Sequence, residues 1–282
     1  MTAPGDGPGP APPAAPPGGW GPGTMARAGR HPAVRVVALA TGGLLTLVLL
    51  AATSFGAANL LVRTTESDVR TLEGPVTRAV VDVDGRIDVV VGPDDRARVE
   101  RSSTFGLRRP SVRRTLVDGL LTVQVTCGDL PGLCSSDVTL TLPATAEVAV
   151  TGEHVTVTGT TGPVQADADG GAVELTDLSG PIDVRTGGGA VVGRDLRSDV
   201  VRASVGAGAV DLEMTRPPSD VEASTGAGSV VVVLPPDGTA YRVDATAGAG
   251  SQDVRVATDP ASPRRVRAST GAGSVEVRYG RG

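Results

Sequence analysis

The sequence predicts an all-β domain of solenoid type, preceded by one transmembrane helix. Three observations carry this: a glycine-centred pattern recurring from residue 147 onward, a core composition almost without rings, and one long uncharged run near the start. Only two Phe, two Tyr and one Trp occur among 282 residues, and Trp20 and Phe55 precede the predicted domain. Val, Ala, Leu and Thr must therefore fill the interior, as suits a thin β-structure stacked in layers of equal width.

Residues 1–35 form a Pro/Gly-rich tail containing Pro10-Ala11-Pro12-Pro13, with too little apolar material for a core, and are expected to be disordered and cytoplasmic. The Pro-x-x-Pro spacing could dock to a polyproline groove, but Pro-rich spacers contain it by chance. The tail carries Asp6 against Arg27, Arg30 and Arg35, a net of +2, so the total of −5 leaves −7 for the remainder. All 26 basic residues are Arg. An acidic domain does not hold nucleic acid by neutralising phosphates.

Residues 36–62 contain no charge and include Leu44-Leu45-Thr46-Leu47-Val48-Leu49-Leu50. As a helix the run reaches about 40 Å against a hydrocarbon core of about 30 Å, which predicts a single span. A cleaved signal peptide is the competing reading, with small residues at Ala51-Ala52-Thr53-Ser54, although signal cores are usually about 7–15 residues long. Arg27, Arg30 and Arg35 before the run nearly balance Arg63, Arg70 and Arg78 after it, so flanking charge does not orient it. Cys127 and Cys134 bracket a turn-prone loop, Gly-Asp-Leu-Pro-Gly-Leu, between two strand-like segments. A disulfide there places the C-terminal domain outside the cytoplasm; free or metal-bound thiols are the alternative, with no His or Cys companion nearby.

Residues 63–77 read as a polar linker and residues 78–282 as the domain. Its first strand alternates from Ala79 to Val91 around Asp84-Gly85, a tight-turn dipeptide. Asp82, Asp84 and Asp88 mimic part of a calcium loop but lack its remaining ligands, which favours a solvated strand face.

The repeat is clearest in Val221-Glu-Ala-Ser-Thr-Gly-Ala-Gly-Ser-Val230 and Val266-Arg-Ala-Ser-Thr-Gly-Ala-Gly-Ser-Val275. Aligned on the residue after the glycine turn, the copies place Val155, Val173, Val191, Val210, Val230, Gln252 and Val275 in one column. Such spacing fits a rung of two short strands, a glycine corner and a return loop, which buries its apolar face only when a neighbour stacks on it. Alternation points Val266, Ala268, Thr270, Val275, Val277 and Tyr279 inward and Arg267, Ser269, Glu276 and Arg278 outward. Gly171, Gly189, Gly208, Gly228, Gly250 and Gly273 are the expected corner glycines, where the backbone disfavours a Cβ. The Pro-rich stretches at 215–218, 234–238 and 257–263 share one phase and read as loops. A β-sandwich is the alternative fold, though its turns would not repeat the same glycine text. A dinucleotide fingerprint beginning at Gly206 and Gly208 lacks its third glycine and its helix.

Gly85-Arg86-Ile87-Asp88-Val89, Val138-Thr-Leu-Thr-Leu-Pro143, Val148-Ala-Val150 and the recurring Thr-Gly-Ala-Gly-Ser-Val together resemble the bacterial putative-adhesin domains of unknown function over roughly residues 78–280. That resemblance implies a membrane-anchored, right-handed parallel β-helix at the cell envelope, and it supplies no catalytic residues.

No catalytic constellation, cofactor motif or metal-ligand set is predicted. His154 has no Cys or second His to share a metal with, and reads as a surface turn residue. A polysaccharide lyase would need a basic residue in a groove beside clustered acids, whereas Arg202, Arg242 and Arg267 fall on outward strand positions. The expected function is therefore non-catalytic. One form is adhesin-like binding or scaffolding with an envelope polymer or protein as partner; the other is self-assembly or envelope signalling. The last copy, Val266 to Tyr279, ends three residues before the end of the sequence, which predicts an open rung at Val275, Val277 and Tyr279 and end-to-end pairing, unless Glu276 and Arg278 keep it single.

Overall fold

The computed structural model describes residues 42–54, 63–106, 108–128 and 134–281. The predicted tail and both ends of the uncharged run lie outside them. Two compact units result, Met1–Ser54 and Phe55–Gly282.

In the first unit, residues 42–54 form helix α1. Leu44, Leu45, Leu47, Val48, Leu49 and Leu50 are all exposed on it. Thr46 and Thr53 donate their hydroxyls to the carbonyls of Gly42 and Leu49 one turn earlier, so the polar side chains are satisfied within the helix. Among the described residues no helix is long and apolar enough to cross a membrane.

The second unit is all-β, with fifteen strands joined in one mixed sheet. The strands are β1 (Thr64–Leu72), β2 (Arg78–Val91), β3 (Ala97–Phe105), β4 (Ser111–Val117), β5 (Leu120–Thr126), β6 (Cys134–Leu142), β7 (Glu147–Thr158), β8 (Val164–Ala168) and β9 (Val173–Thr176). They continue as β10 (Ile182–Leu196), β11 (Val200–Met214), β12 (Asp220–Ala227), β13 (Val230–Leu234), β14 (Arg242–Arg255) and β15 (Arg265–Tyr279). Thr64–Leu72 is thus a strand rather than a linker: β1 pairs antiparallel with β3 along its whole length, so the folded unit starts fourteen residues before Arg78.

From β2 onward each copy of the repeat is one rung with two halves. First halves pair in parallel and in register, aligning Val148, Val164, Ile182, Val201, Val221, Val266 and Val243. Second halves do the same with Val155, Val173, Val191, Val210, Val230, Val275 and Gln252. The inward residues of both ladders belong to one apolar cluster. These parallel ladders are not the antiparallel pairing of an immunoglobulin-like sandwich.

The rungs are not stacked in sequence order. In space they run β5/β6, β2, β7, β8/β9, β10, β11, β12/β13, β15, β14. At each end the chain places one rung out of turn. Because β14 pairs only with β15, the step from β14 to β15 runs back along the strand order, opposite in direction to the steps before it. That loop is held by Arg264, whose Nη1 donates to the carbonyls of Pro217 and Pro218 at 2.9 Å. The expectation of an open rung at 266–279 is therefore corrected. β15 lies between β12/β13 and β14, and Val275 and Val277 are buried.

The corner glycines form a column. A Cβ on Gly208 would lie 1.6 Å from the carbonyl oxygen of Gly189, on Gly228 1.9 Å from that of Gly208, on Gly273 1.9 Å from that of Gly228, and on Gly250 1.6 Å from that of Gly273. Gly189 meets Gly171 in the same way, and Gly171 meets Glu153. Gly208, Gly228, Gly250 and Gly273 also have φ between 136° and 146°, whereas close approach alone accounts for Gly171. Buried Thr225 and Thr270 donate to the carbonyls of Gly208 and Gly228 at 3.0 Å, tying each rung to the corner beneath it.

Two corners depart from this pattern. Asp84-Gly85 does not reverse the chain; β2 continues through it as a bent strand pairing with β5, β6 and β7 in parallel. In the outermost N-terminal rung the Cys127–Cys134 disulfide ties the residue after β5 to the first residue of β6, with the Cα atoms 5.6 Å apart. Asp84 accepts the amide of Cys127 at 2.8 Å and seats that corner on the next rung.

Candidate binding surfaces

Outward side chains of the first-half ladder are arranged by register in a column that alternates in sign: Asp183, Arg202, Glu222, Arg267, Asp244. Arg202 lies 3.9 Å from Glu222 and 3.7 Å from Asp220; Arg267 lies 3.8 and 3.9 Å from the same two acids. These half-exposed pairs add little stability, but they offset part of the acidic charge of the column. Arg242 donates its Nε to the Pro260 carbonyl. None of these arginines stands free over a cluster of acids, and a guanidinium does not deprotonate to act as a base.

The second-half ladder differs. Its outward column reads Asp88, Thr156, Glu174, Val192, Asp211, Val231, Glu276, Asp253. Acids recur at every second rung, roughly 10 Å apart, a distance at which physiological salt largely screens their repulsion. Where Glu276 and Asp253 become direct neighbours, Arg255 bridges them at 3.1 and 2.6 Å. His154 is exposed on this face beside Arg86. Among the described residues no group of three or more His, Cys, Asp or Glu could hold a metal ion.

At the N-terminal end the interior becomes polar. Core-facing positions of β3 run Ala97, Val99, Arg101, Ser103, Phe105, and those of β4 include Arg114. Arg114 reaches across to Asp68 of β1, its Nη1 2.7 Å from Oδ2, and holds the Asp68 carboxyl below the usual carboxylate range. Arg101 is buried, bonded to Ser103 at 2.7 Å and 3.7 Å from Glu66, and Ser103 continues to Ser136 at 2.8 Å. Asp68, Arg70, Thr71, Leu72, Arg101, Val112 and Arg114 line a cavity of about 540 Å³ here. The sequence predicts a linker over β1 and so does not point to this cavity; the alternation of Asp68, Arg70 and Leu72 is the signal it carries.

At the C-terminal end β14 is the edge strand. Val254 is exposed, and Gln252 occupies the column position held by Val in every other copy. In the orientation that satisfies its amide, Gln252 donates to the Ala245 carbonyl at 3.0 Å and accepts from the Ala247 amide at 3.2 Å. It thereby occupies two backbone groups of the free edge, as the peptide group of a further strand would. Tyr241 is fully buried beneath β14, and burial, then the charge of Asp237, pushes its phenol up to about 12.

No protein-family model matches the chain, and no curated protein matches it in sequence. Several solved structures are similar to it over about three quarters of its length. A putative cell adhesion protein of Clostridium sporogenes is 12% identical with a TM-score of 0.35, over 77% of this chain and 100% of that one. A putative adhesin of Bacteroides fragilis is 13% identical with a TM-score of 0.49, over 75% and 97%; one of Parabacteroides distasonis is 14% identical with a TM-score of 0.38, over 76% and 97%. At such identities no binding residue transfers from them to this chain.

Proposed function

We propose that this chain is a membrane-anchored, extracytoplasmic, non-catalytic module at the bacterial cell envelope, a right-handed parallel β-helix that binds or scaffolds in the manner of an adhesin. The observation that supports it best is the register. Successive rungs set their outward side chains in straight columns on a stiff backbone, the kind of extended surface with which repeat proteins recognise partners. The two faces differ in charge, with acids alternating with arginines on one side and acids alone recurring along the column of the other, so an envelope polymer or protein would be discriminated by face. The disulfide favours a location outside the cytoplasm. The uncharged run 36–62, with α1 inside it and its leucines turned outward, is the proposed anchor, which leaves the N-terminal tail in the cytoplasm.

A second reading, self-assembly, is favoured by one feature, the unpaired edge of β14. Ser269→Cys on the outward face would be labelled by a membrane-impermeant maleimide in intact cells; protection until lysis overturns the topology. Full-length chain in mild detergent, presented to isolated envelope material, should retain a component saturably. Concentration-dependent association of the chain alone, with nothing retained, replaces the binding reading with self-assembly.

A further inference from the structure

The strands that close the N-terminal end differ in charge from the rungs stacked behind them. Residues 97–117, which span β3, β4 and their connection, hold six Arg and one Glu, a net of +5, whereas residues 118–282 hold 12 Arg against 21 acids, a net of −9. Half of those six arginines are taken: Arg98 by Glu100, Arg101 by Glu66 and Arg114 by Asp68. Arg108, Arg109 and Arg113 are exposed and, among the described residues, have no carboxylate within ion-pair distance; the same holds for Arg63 just before β1.

The topology gathers these four at one corner. Thr64, the first residue of β1, pairs with Phe105, the last of β3, so Arg63 lies at the same end of the ladder as the connection that carries Arg108 and Arg109. Arg113 follows two residues past the start of β4. Only Arg63 stands between the uncharged run and β1, and two extended residues reach no further than about 7 Å. Apolar exposure collects at this end too. Among the described residues the large apolar side chains exposed on the second unit are Val69, Val112, Val117, Leu120 and Val254, and all but Val254 belong to β1, β4 or β5. Free cations among exposed apolar side chains are the composition that rests in an anionic headgroup layer. An anionic polymer would be met by the charge alone; the apolar side chains and the short tether favour lipid.

We propose that this cap is a docking surface for an anionic lipid bilayer, with Arg63, Arg108, Arg109 and Arg113 on the headgroup phosphates. The proposal rests on the reading of residues 36–62 as the anchor. Docking holds the N-terminal end of the stack at the bilayer and leaves the outer columns free for a partner.

The test uses full-length chain in lipid nanodiscs, with a fluorophore on Thr115→Cys, exposed between Arg113 and Val117 on β4. Spin-labelled headgroups quench a fluorophore that lies at the lipid surface. The label should be quenched in discs containing phosphatidylglycerol and stay bright in discs of phosphatidylcholine alone. Quenching should be lost at about 1 M salt, where the screening length is about 3 Å. The same fluorophore on Ser269→Cys, outward on β15, should stay bright in every disc. Arg108→Gln, Arg109→Gln and Arg113→Gln together should lower the docked-to-free ratio about a hundredfold and leave the melting temperature unchanged, because all three side chains are exposed. If the triple variant melts early, the lipid comparison and the salt series of the parent decide. Chain that separates from the discs on sizing overturns the anchor, and the docking with it. Chain that stays in the discs with its label equally bright in both lipids overturns the docking alone, as does undiminished quenching in a stable triple variant. Retention of polyphosphate by chain in dodecylmaltoside, with no quenching in either disc, assigns the arginines to an anionic polymer and also overturns it.

Discussion

At the N-terminal end of the stack the outer rung β5/β6 is covered by antiparallel strands, β4 on one ladder and β3 then β1 on the other, and the interior there admits Arg101, Arg114 and Asp68. At the C-terminal end the outer rung is β14, which no described strand covers, and its interior is sealed by small residues and the ring of Tyr241. The N-terminal end thus spends three extra strands on closure and tolerates charge inside, because the opposed ladders can exchange ion pairs. The C-terminal end has one strand, so its free backbone is managed locally by Gln252. Ends of a regular stack are where irregular chemistry is permitted. The three aromatic rings among the described residues follow the same division: Phe105 lies beyond the first outer rung, and Tyr241 and Tyr279 lie at the other end.

The largest effect that would sharpen this contrast separates middle from end. Gly228→Ala drives a Cβ to within 1.9 Å of a backbone oxygen held on both sides, and should cost more than about 4 kcal/mol of unfolding free energy in denaturant titrations. Gly250→Ala makes a comparable clash at 1.6 Å, but on β14, which can move outward; less than about half that loss is expected. Equal losses would show the end rung to be as constrained as the middle.

Next comes the disulfide, which takes the place of a glycine corner. Cys127→Ser with Cys134→Ser should cost about 2–3 kcal/mol. Hydrogen exchange should quicken in β5 and β6 while β15 stays protected. Loss of protection at both ends together would mean that the stack melts as one unit and the two ends are not separable.

At the C-terminal end the sensitive group is Tyr241. Its phenol titrates near 12 in the fold and near 10 in an unfolded chain, so the neutral form is the one that folding favours. Its contribution is complete below pH 10 and is lost as pH rises toward 12, amounting to roughly 2–3 kcal/mol over that window. Its hydroxyl has no hydrogen-bond acceptor among the described residues, so Tyr241→Phe should match the parent at neutral pH and remove this part of the alkaline loss. An unchanged alkaline slope in the variant would place the sensitive group elsewhere.

The smallest stability change and the sharpest change in behaviour should come from Gln252→Val, which restores the repeat but strips the edge of the side-chain amide that bonds Ala245 and Ala247. Light scattering should then show association at concentrations where the parent is single. A variant that stays monomeric would mean that the outward charges of Asp244, Asp253 and Arg255 guard the edge unaided.

Much of the middle was legible in the sequence because one physical requirement, a corner without a Cβ, writes the same letters at every rung. Inward and outward faces followed from alternation at Val266, Ala268 and Thr270, which are buried, and at Ser269, which is exposed. Rung order was not legible. The inward residues of β14 and β15 are close enough in size to stack on either neighbour, and nothing local states which lies outside. The one clue was Gln252, a polar residue at a core position, which reads as a decayed copy until the edge it serves is seen. The arginine-lined mouth was hidden for another reason: antiparallel strands β1, β3 and β4 carry no glycine text, and their charged inward residues look like solvated linker.

The inversion of β14 and β15 also sets a schedule. During synthesis β14 emerges first and meets the exposed face of β12/β13, whose register it could occupy, because Val243 and Val266 fill the same column. The native neighbour of that face is not made until residue 279. An early docking of β14 there would have to be undone before β15 could take its place between them. The weakened apolar face of β14, with Gln252 and an exposed Val254, makes the premature complex the poorer one, so the same residues that quiet the finished edge also favour leaving that place to β15.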